Sequence, residues 1–241
     1  MRSSRLFKML FEDAESGILV LLDPDKLPRK QVAHVVERVS GYKRVRAILV
    51  GTSLLMSTDF VEFTKMVKDA ADVPVVLFPG GVHQVSPYAD AILFLSVISG
   101  RNPELLIGEQ VRMAPFVRKY GLEVIPTAYM LVESGNIPSV EFITHTMPIP
   151  RDKTDIAVAH AMAAEMLGFK LIYLEAGSGA KYPVPPEMIR AVHNAVDIPV
   201  IVGGGLRDPN AIELAFEAGA KHVVIGTAIE EDQNFLEVID R

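Results

Sequence analysis

No cysteine occurs in the 241 residues, so neither a disulfide framework nor a thiolate metal centre is available. Long apolar runs are missing as well. Stretches such as Ile18 to Leu22 and Ala91 to Leu95 fall far short of the ~20 residues needed to span a bilayer, which excludes an integral membrane segment. Nothing near the N-terminus reads as a secretory apolar region, so a cytoplasmic protein is expected. A basic excess is absent too. The formal charge of −6 argues against nucleic acid as a partner, because phosphate backbones need a basic face. An anionic substrate would have to be met locally. The six histidines (His34, His83, His145, His160, His193 and His222) show no two at ligand spacing, which disfavours zinc. No lysine stands at the inner end of a strand: Lys170 precedes one and Lys181 lies in a loop, so a Schiff-base aldolase is disfavoured.

What is present is regular. With no linker-like tract, residues 1–241 read as one domain, about the length of a single (β/α)8 barrel. Eight short apolar segments suit buried parallel strands: Gly17–Leu22, Arg46–Val50, Val73–Phe78, Ala91–Val97, Leu122–Pro126, Leu171–Leu174, Ile198–Val202 and His222–Ile225. Between most of them apolar residues recur at helical spacing. Pro28 opens a helix with Val32, Val35, Val36 and Val39 on one side; Ser57 or Thr58 caps the next, which carries Phe60, Phe63 and Val67. Met188, Ile189, Val192 and Val196 line a later helix, and Ile212, Ala215 and Phe216 another that Gly219 ends. Strict βα alternation implies a parallel sheet, and eight units imply closure.

Three connections depart from this rhythm. Gly80 to Asp90 is too short and broken for a full helix, so an irregular segment is expected in place of the third. Ala128 to Pro150 is long and suits a lid or binding segment, and Glu175 to Pro183 is rich in glycine.

Chemistry in such a barrel sits at the C-terminal strand ends. There the runs Val200 to Gly205 and Val223 to Thr227 close in Gly203-Gly204-Gly205 and Gly226-Thr227, and Asp208 with Pro209 starts a helix close behind the first. Two glycine turns in successive late units form a phosphate cradle, against the plainer reading of tight turns alone. Strand one ends in Asp23-Pro24-Asp25-Lys26, where Asp23 suits a hard cation such as Mg²⁺ and Asp25 a cap; the competing reading is an Asx-turn. Gly51-Thr52-Ser53 brings hydroxyls to the same rim. In strand six, Tyr173 and Glu175 share a face with Leu174 opposite, and a carboxylate inside the mouth is expected to bind or deprotonate a substrate hydroxyl rather than only to hold a loop. Ser178 and the amides of Gly177 and Gly179 would extend the cradle.

Together these motifs, with Tyr173-Leu174-Glu175-Ala176-Gly177-Ser178-Gly179 as the most specific, resemble the geranylgeranylglyceryl phosphate synthase family over nearly the whole chain. Asn102-Pro103-Glu104, Gly108-Glu109-Gln110 and Glu133-Ser134-Gly135-Asn136 resemble its branch that includes larger assemblies, which implies a homo-oligomer. The resemblance implies transfer of a prenyl group from geranylgeranyl diphosphate to the sn-3 hydroxyl of sn-glycerol 1-phosphate, with Mg²⁺. By the same resemblance Asp23 and Ser53 are magnesium positions, and Tyr173, Leu174, Glu175, Ala176, Gly177, Ser178, Gly179, Gly204, Gly205, Gly226 and Thr227 bind glycerol phosphate. One departure leaves a choice open: Gly51-Thr52-Ser53 stands where Gly-Gly-Ser is expected, so either Thr52 or Ser53 faces the metal.

On this reading the acceptor lies on the rim opposite Asp23, Glu175 orients its hydroxyl, and the prenyl tail follows Phe94–Val97 and Tyr129–Val132. Two rivals share the glycine cradle: a phosphosugar isomerase or lyase that uses Asp23 with Glu175 as an acid/base pair, and a non-catalytic phospholigand-binding barrel.

Overall fold

The computed structural model describes residues 5–56, 59–231 and 235–239. Eight parallel strands close into a barrel in sequence order, β1 (Gly17–Leu22), β2 (Val45–Val50), β3 (Val75–Leu77), β4 (Ala91–Val97), β5 (Glu123–Leu131), β6 (Leu171–Glu175), β7 (Val200–Gly203) and β8 (His222–Ile225), with β8 pairing back to β1. Period-2 alternation divides their apolar residues in two. Leu19, Leu49, Leu93, Ile125, Tyr173 and Ile201 fill the interior, while Val20, Ile48, Ile92, Met130, Leu174 and Val202 face outward beneath the helices.

The helices form the outer ring. A short α1 (Arg5–Phe7) runs into a wide turn, Lys8–Asp13. Then come α2 (Val32–Ser40), α3 (Phe60–Ala70), α4 (Glu109–Tyr120), α5 (Ser139–Thr144), α6 (Thr154–Met166), α7 (Pro186–Ala195), α8 (Pro209–Glu217), α9 (Thr227–Glu231) and α10 (Phe235–Ile239). The longer ones dock by apolar stripes: Val32, Val35, Val36 and Val39 are buried from α2, and Phe60, Phe63 and Val67 from α3. Capping is as anticipated for α8, where Asp208 accepts from Asn210 N–H ahead of Pro209. The expected cap of α3, Ser57 or Thr58, lies outside the described residues; Asp59 performs that task, accepting from Val61 and Glu62 N–H.

One irregular connection is as expected, whereas the end of β5, the segment after it and the part played by Asp25 are not. No α-helix follows β3; the link holds only a 3-10 turn, Val82–Gln84, as the broken sequence suggested. Strand β5 does not stop at Pro126 but runs to Leu131, with Pro126 opposite Phe94 in register. The following segment therefore starts later than Ala128 and is not a bare loop: it contains α5 and is closed at its base by a bridge between Val132 and Ile149. Asp25 caps no helix, since the chain after β1 enters a 3-10 turn at Pro28.

The two ends of the barrel are unlike. At the bottom Phe7, Leu10 and Phe11 plug the interior. Glu123 accepts from Leu6 and Phe7 N–H at 2.9 and 2.7 Å, His222 Nε2 donates to Leu10 C=O at 2.7 Å, and Lys221 Nζ to Ala14 C=O at 2.6 Å. The mouth is thereby left as the way in. Among the described residues no helix is long and apolar enough to cross a membrane.

Candidate active site

The mouth opens into a cavity of about 840 Å³ that reaches all eight strand ends. Its acidic end is built by β1 and β2. Asp23 sits just past β1 with its side chain 15% exposed; Oδ1 accepts from Asp25 N–H at 2.9 Å and Oδ2 from the Thr52 hydroxyl at 3.1 Å, with Lys26 Nζ 3.8 Å from Oδ2. The Asx-turn and the rim position are thus both properties of Asp23. Asp25 instead accepts from Met56 N–H at 2.8 Å, tying the β2 loop to the β1 loop. Thr52 rather than Ser53 touches Asp23, although Ser53 also lines the cavity.

Three aromatic rings form the floor. Tyr173 packs against Phe78 and Tyr129 with centroids 5.3 and 5.4 Å apart. Above them lies Glu175, 5% exposed, with Oε1 accepting from Gly177 N–H at 2.6 Å. Burial pushes the Glu175 carboxyl above the usual carboxylate range, and the Tyr173 hydroxyl and the Gly177 amide pull it part of the way back. Burial first, and Glu175 second, raise the Tyr173 and Tyr129 hydroxyls well above 10, so both remain phenols. The Tyr173 hydroxyl stands beside Glu175 but outside good hydrogen-bonding geometry, which leaves it a buried donor with no aligned partner.

The glycine turns leave room around this carboxylate. Gly204 is left-handed (φ 82°), and a Cβ there would fall 2.5 Å from both Glu175 Oε1 and Gly177 N. Ser178 and Thr227 hydroxyls meet at 3.3 Å, joining the β6 and β8 loops, and Gly179, Gly205 and Gly226 line the same space. The Gly177 amide, expected to extend the cradle, is instead engaged by Glu175; Leu174 points outward, opposite Tyr173 and Glu175, as alternation requires, and Ala176 packs in the same outer core. The placement of the cradle opposite Asp23 holds for the β6 loop, but Gly226 stands directly beside β1, where a Cβ would be 3.3 Å from Leu21 C=O.

Between β4 and α5 the cavity has an apolar side, lined by Leu95, Val97, Leu105, Met113, Val140 and Phe142. Of the stretches expected to line the prenyl groove only Leu95, Val97 and Tyr129 reach the cavity, and alternation turns Phe94, Met130 and Val132 outward. Sequence reasoning also passed over Arg207, a cation lining the cavity beside Gly205, and Phe78, which was placed at the end of a strand without a role.

Among the described residues no three His, Asp or Glu side chains cluster to cage a metal. One carboxylate with neighbouring hydroxyls fits Mg²⁺ of the kind that arrives with substrate phosphates and keeps waters, whose hard-oxygen preference matches Asp23, Thr52 and Ser53.

Residues 12–240 match the PcrB family. The chain is 49% identical over 235 residues to a geranylgeranylglyceryl phosphate synthase of Flavobacterium johnsoniae, covering 96% of each chain. It is 46% identical over 224 residues to one from Korarchaeum cryptofilum, covering 92% of this chain and 91% of that one. The chain belongs to the PcrB family. Its fold also overlays the crystal structure of the (S)-3-O-geranylgeranylglyceryl phosphate synthase of Thermoplasma acidophilum in complex with substrate sn-glycerol-1-phosphate, with TM-score 0.88, 33% identity and coverage of 98% and 94%. Within this cavity the glycine-rich β6 loop lies across from Asp23, while the Gly226 turn stands beside the strand that carries it.

Proposed function

We propose that this protein is a geranylgeranylglyceryl phosphate synthase, a Mg²⁺-dependent enzyme that transfers a geranylgeranyl group from its diphosphate to the sn-3 hydroxyl of sn-glycerol 1-phosphate and releases diphosphate. The observation that carries this reading is that a single cavity joins an acidic rim, glycine-lined loops around a buried carboxylate, and a broad apolar side. A phosphosugar isomerase or lyase would have use for the first two but not for the apolar side. The volume of about 840 Å³ lies toward the upper end of small-ligand sites, which suits a long chain.

Glycerol phosphate is held by the loops after β6, β7 and β8, with Arg207 adding positive charge. Glu175 then accepts a hydrogen bond from the attacking hydroxyl, and its raised affinity for protons suits it to take that proton as the ether bond forms. At the other end Asp23 and its hydroxyl neighbours would hold Mg²⁺, which supplies charge neutralisation for the departing diphosphate. The allylic C–O bond breaks there and leaves cationic character on the prenyl carbons. The rings of Phe78, Tyr129 and Tyr173 cluster at the floor beside that charge, and the apolar side of the cavity keeps water from it.

The same reading extends to a homo-oligomer in the cytoplasm. Ile107, just before α4, and Val111, in its first turn, are 60% and 63% exposed, an apolar face of the sort that second copies cover, and sedimentation velocity tests it. For the activity itself, the test is incubation with labelled sn-glycerol 1-phosphate and prenyl diphosphates of several lengths, with and without Mg²⁺. Label should enter the organic phase only with donor and metal together; exchange of a glycerol phosphate C–H with solvent deuterium in the absence of donor would favour the isomerase.

A further inference from the structure

The irregular third connection has no part in the chemistry above, yet it touches the donor end at one point. Gln84, at the end of the 3-10 turn, is 3% exposed. Its side-chain Nε2 donates to Thr52 C=O at 2.8 Å, and its Oε1 accepts from Thr52 N–H at 3.0 Å. Both halves of the amide thus pair with both backbone groups of one residue, as a neighbouring strand would. The location explains why a strand cannot do this. Strand β2 ends at Val50 and β3 at Leu77, so Thr52 lies two residues beyond the last rung of the ladder, where its peptide groups have run out of sheet partners.

Two further contacts show that the turn is built for the clamp. A Cβ at Gly80 would overlap Thr52 C=O, so the chain approaches only because that residue has no side chain. The turn is held from behind by Val82 N–H donating to Glu109 Oε2 at 2.8 Å, which anchors it to α4. A helix entering directly from β3 would carry Gln84 away from the mouth. The hydroxyl of the residue so clamped is the one that donates to Asp23 Oδ2.

We propose that Gln84 is a positioning residue of the donor site: by gripping the Thr52 backbone it aims the Thr52 hydroxyl at Asp23 and fixes the carboxylate that holds the divalent cation. This rests on the assignment of Asp23 to the metal made above, and the experiment separates the two. Mn²⁺ binding in the presence of inorganic diphosphate is measured by electron paramagnetic resonance for the full chain and for Gln84→Met, Thr52→Val and the double variant. Methionine keeps the length and volume of the side chain without its hydrogen bonds. Glycerol phosphate affinity, read by calorimetry on the same samples, reports whether the barrel is intact.

Each single variant should weaken Mn²⁺ by about tenfold, the scale of one or two neutral hydrogen bonds, with glycerol phosphate affinity unchanged. Because Gln84 acts through the Thr52 hydroxyl, the double variant should be no weaker than either single one. Gln84→Asn retains the amide but is one methylene too short to reach; it should resemble Gln84→Met, and it provides the same comparison if the methionine variant does not fold. Additive losses of about a hundredfold in the double variant, or wild-type Mn²⁺ affinity in Gln84→Met, would overturn the inference. Wild-type protein that binds no Mn²⁺ with diphosphate would instead overturn the metal assignment, and with it the purpose given to Gln84.

Discussion

The two ends of this barrel solve opposite problems with the same strands. At the bottom, polar groups are few and work to seal the core: Glu123 collects two backbone amides and His222 one carbonyl, around a plug of Phe7, Leu10 and Phe11. At the top, buried polar groups are kept under tension. Glu175 is desolvated, the buried Tyr173 hydroxyl beside it lacks an aligned partner, and Gly204 bends through a left-handed conformation where a side chain would press on the Glu175 carboxylate. The difference teaches where stability and chemistry reside. An unsatisfied buried donor is a cost to folding and a ready contact for a substrate, so the mouth should tolerate stabilising changes that destroy activity.

The largest expected effect is at the sealed end. Phe11→Ala should destabilise the fold by about 3–5 kcal/mol in denaturant titrations, the usual result for emptying a buried aromatic site, while turnover per folded molecule stays near wild type. Loss of turnover per folded molecule would break the division between the ends.

The next effect is a pH dependence, also at the bottom. Burial lowers the His222 pKa from 6.5 to about 4. The unfolded chain therefore binds more protons than the folded one between those values, and stability falls as pH drops through 6.5 toward 4, by about 3 kcal/mol from this group. Thermal melts from pH 7 to pH 4 should show that slope, and His222→Leu should flatten it.

At the top, Glu175→Gln should reduce turnover by about 10²-fold, the lower part of the range for positioned acid/base groups, since the amide still accepts a hydrogen bond. The folded carboxyl binds its proton more tightly than the unfolded one, so ionisation above the usual glutamate range favours unfolding. The Gln variant should accordingly melt no lower than wild type at pH 8. A lower melting temperature would show that Glu175 serves the fold.

A smaller effect is expected where the β5 segment straps the β6 loop. Asn136 Oδ1 accepts from Lys181 N–H at 2.7 Å and its Nδ2 donates to Gly179 C=O at 3.2 Å. Asn136→Ala should raise the KM for glycerol phosphate by about tenfold, as expected for two exposed hydrogen bonds, and leave the KM for the prenyl donor unchanged.

How much of this could be read from the chain follows the same division. All eight strands were legible, because strands buried on both faces are apolar runs bounded by turns. The end of β5 was not: Pro126 reads as a breaker, yet a closed barrel holds it in register opposite Phe94, and its C=O still accepts from Lys170 N–H. Asp23, Glu175 and the glycine turns were legible from their places at strand ends. The use of the Gly177 amide was not, because a two-residue hydrogen bond back to Glu175 leaves no pattern. Gln84 was hidden for a related reason. It reaches a backbone 32 residues away, and only the broken character of its segment was visible in the sequence.

Acceptor and donor phosphates are proposed to occupy separate parts of one cavity, and calorimetric titration of sn-glycerol 1-phosphate tests that separation on two variants. Asp23→Asn should bind glycerol phosphate as wild type does while losing prenyl transfer. Gly204→Ala, whose methyl group would press on Glu175 and the Gly177 amide, should bind it more weakly by about tenfold or more. Loss of glycerol phosphate binding in Asp23→Asn with wild-type affinity in Gly204→Ala would contradict the account, for it would mean that acceptor and donor occupy each other's ends.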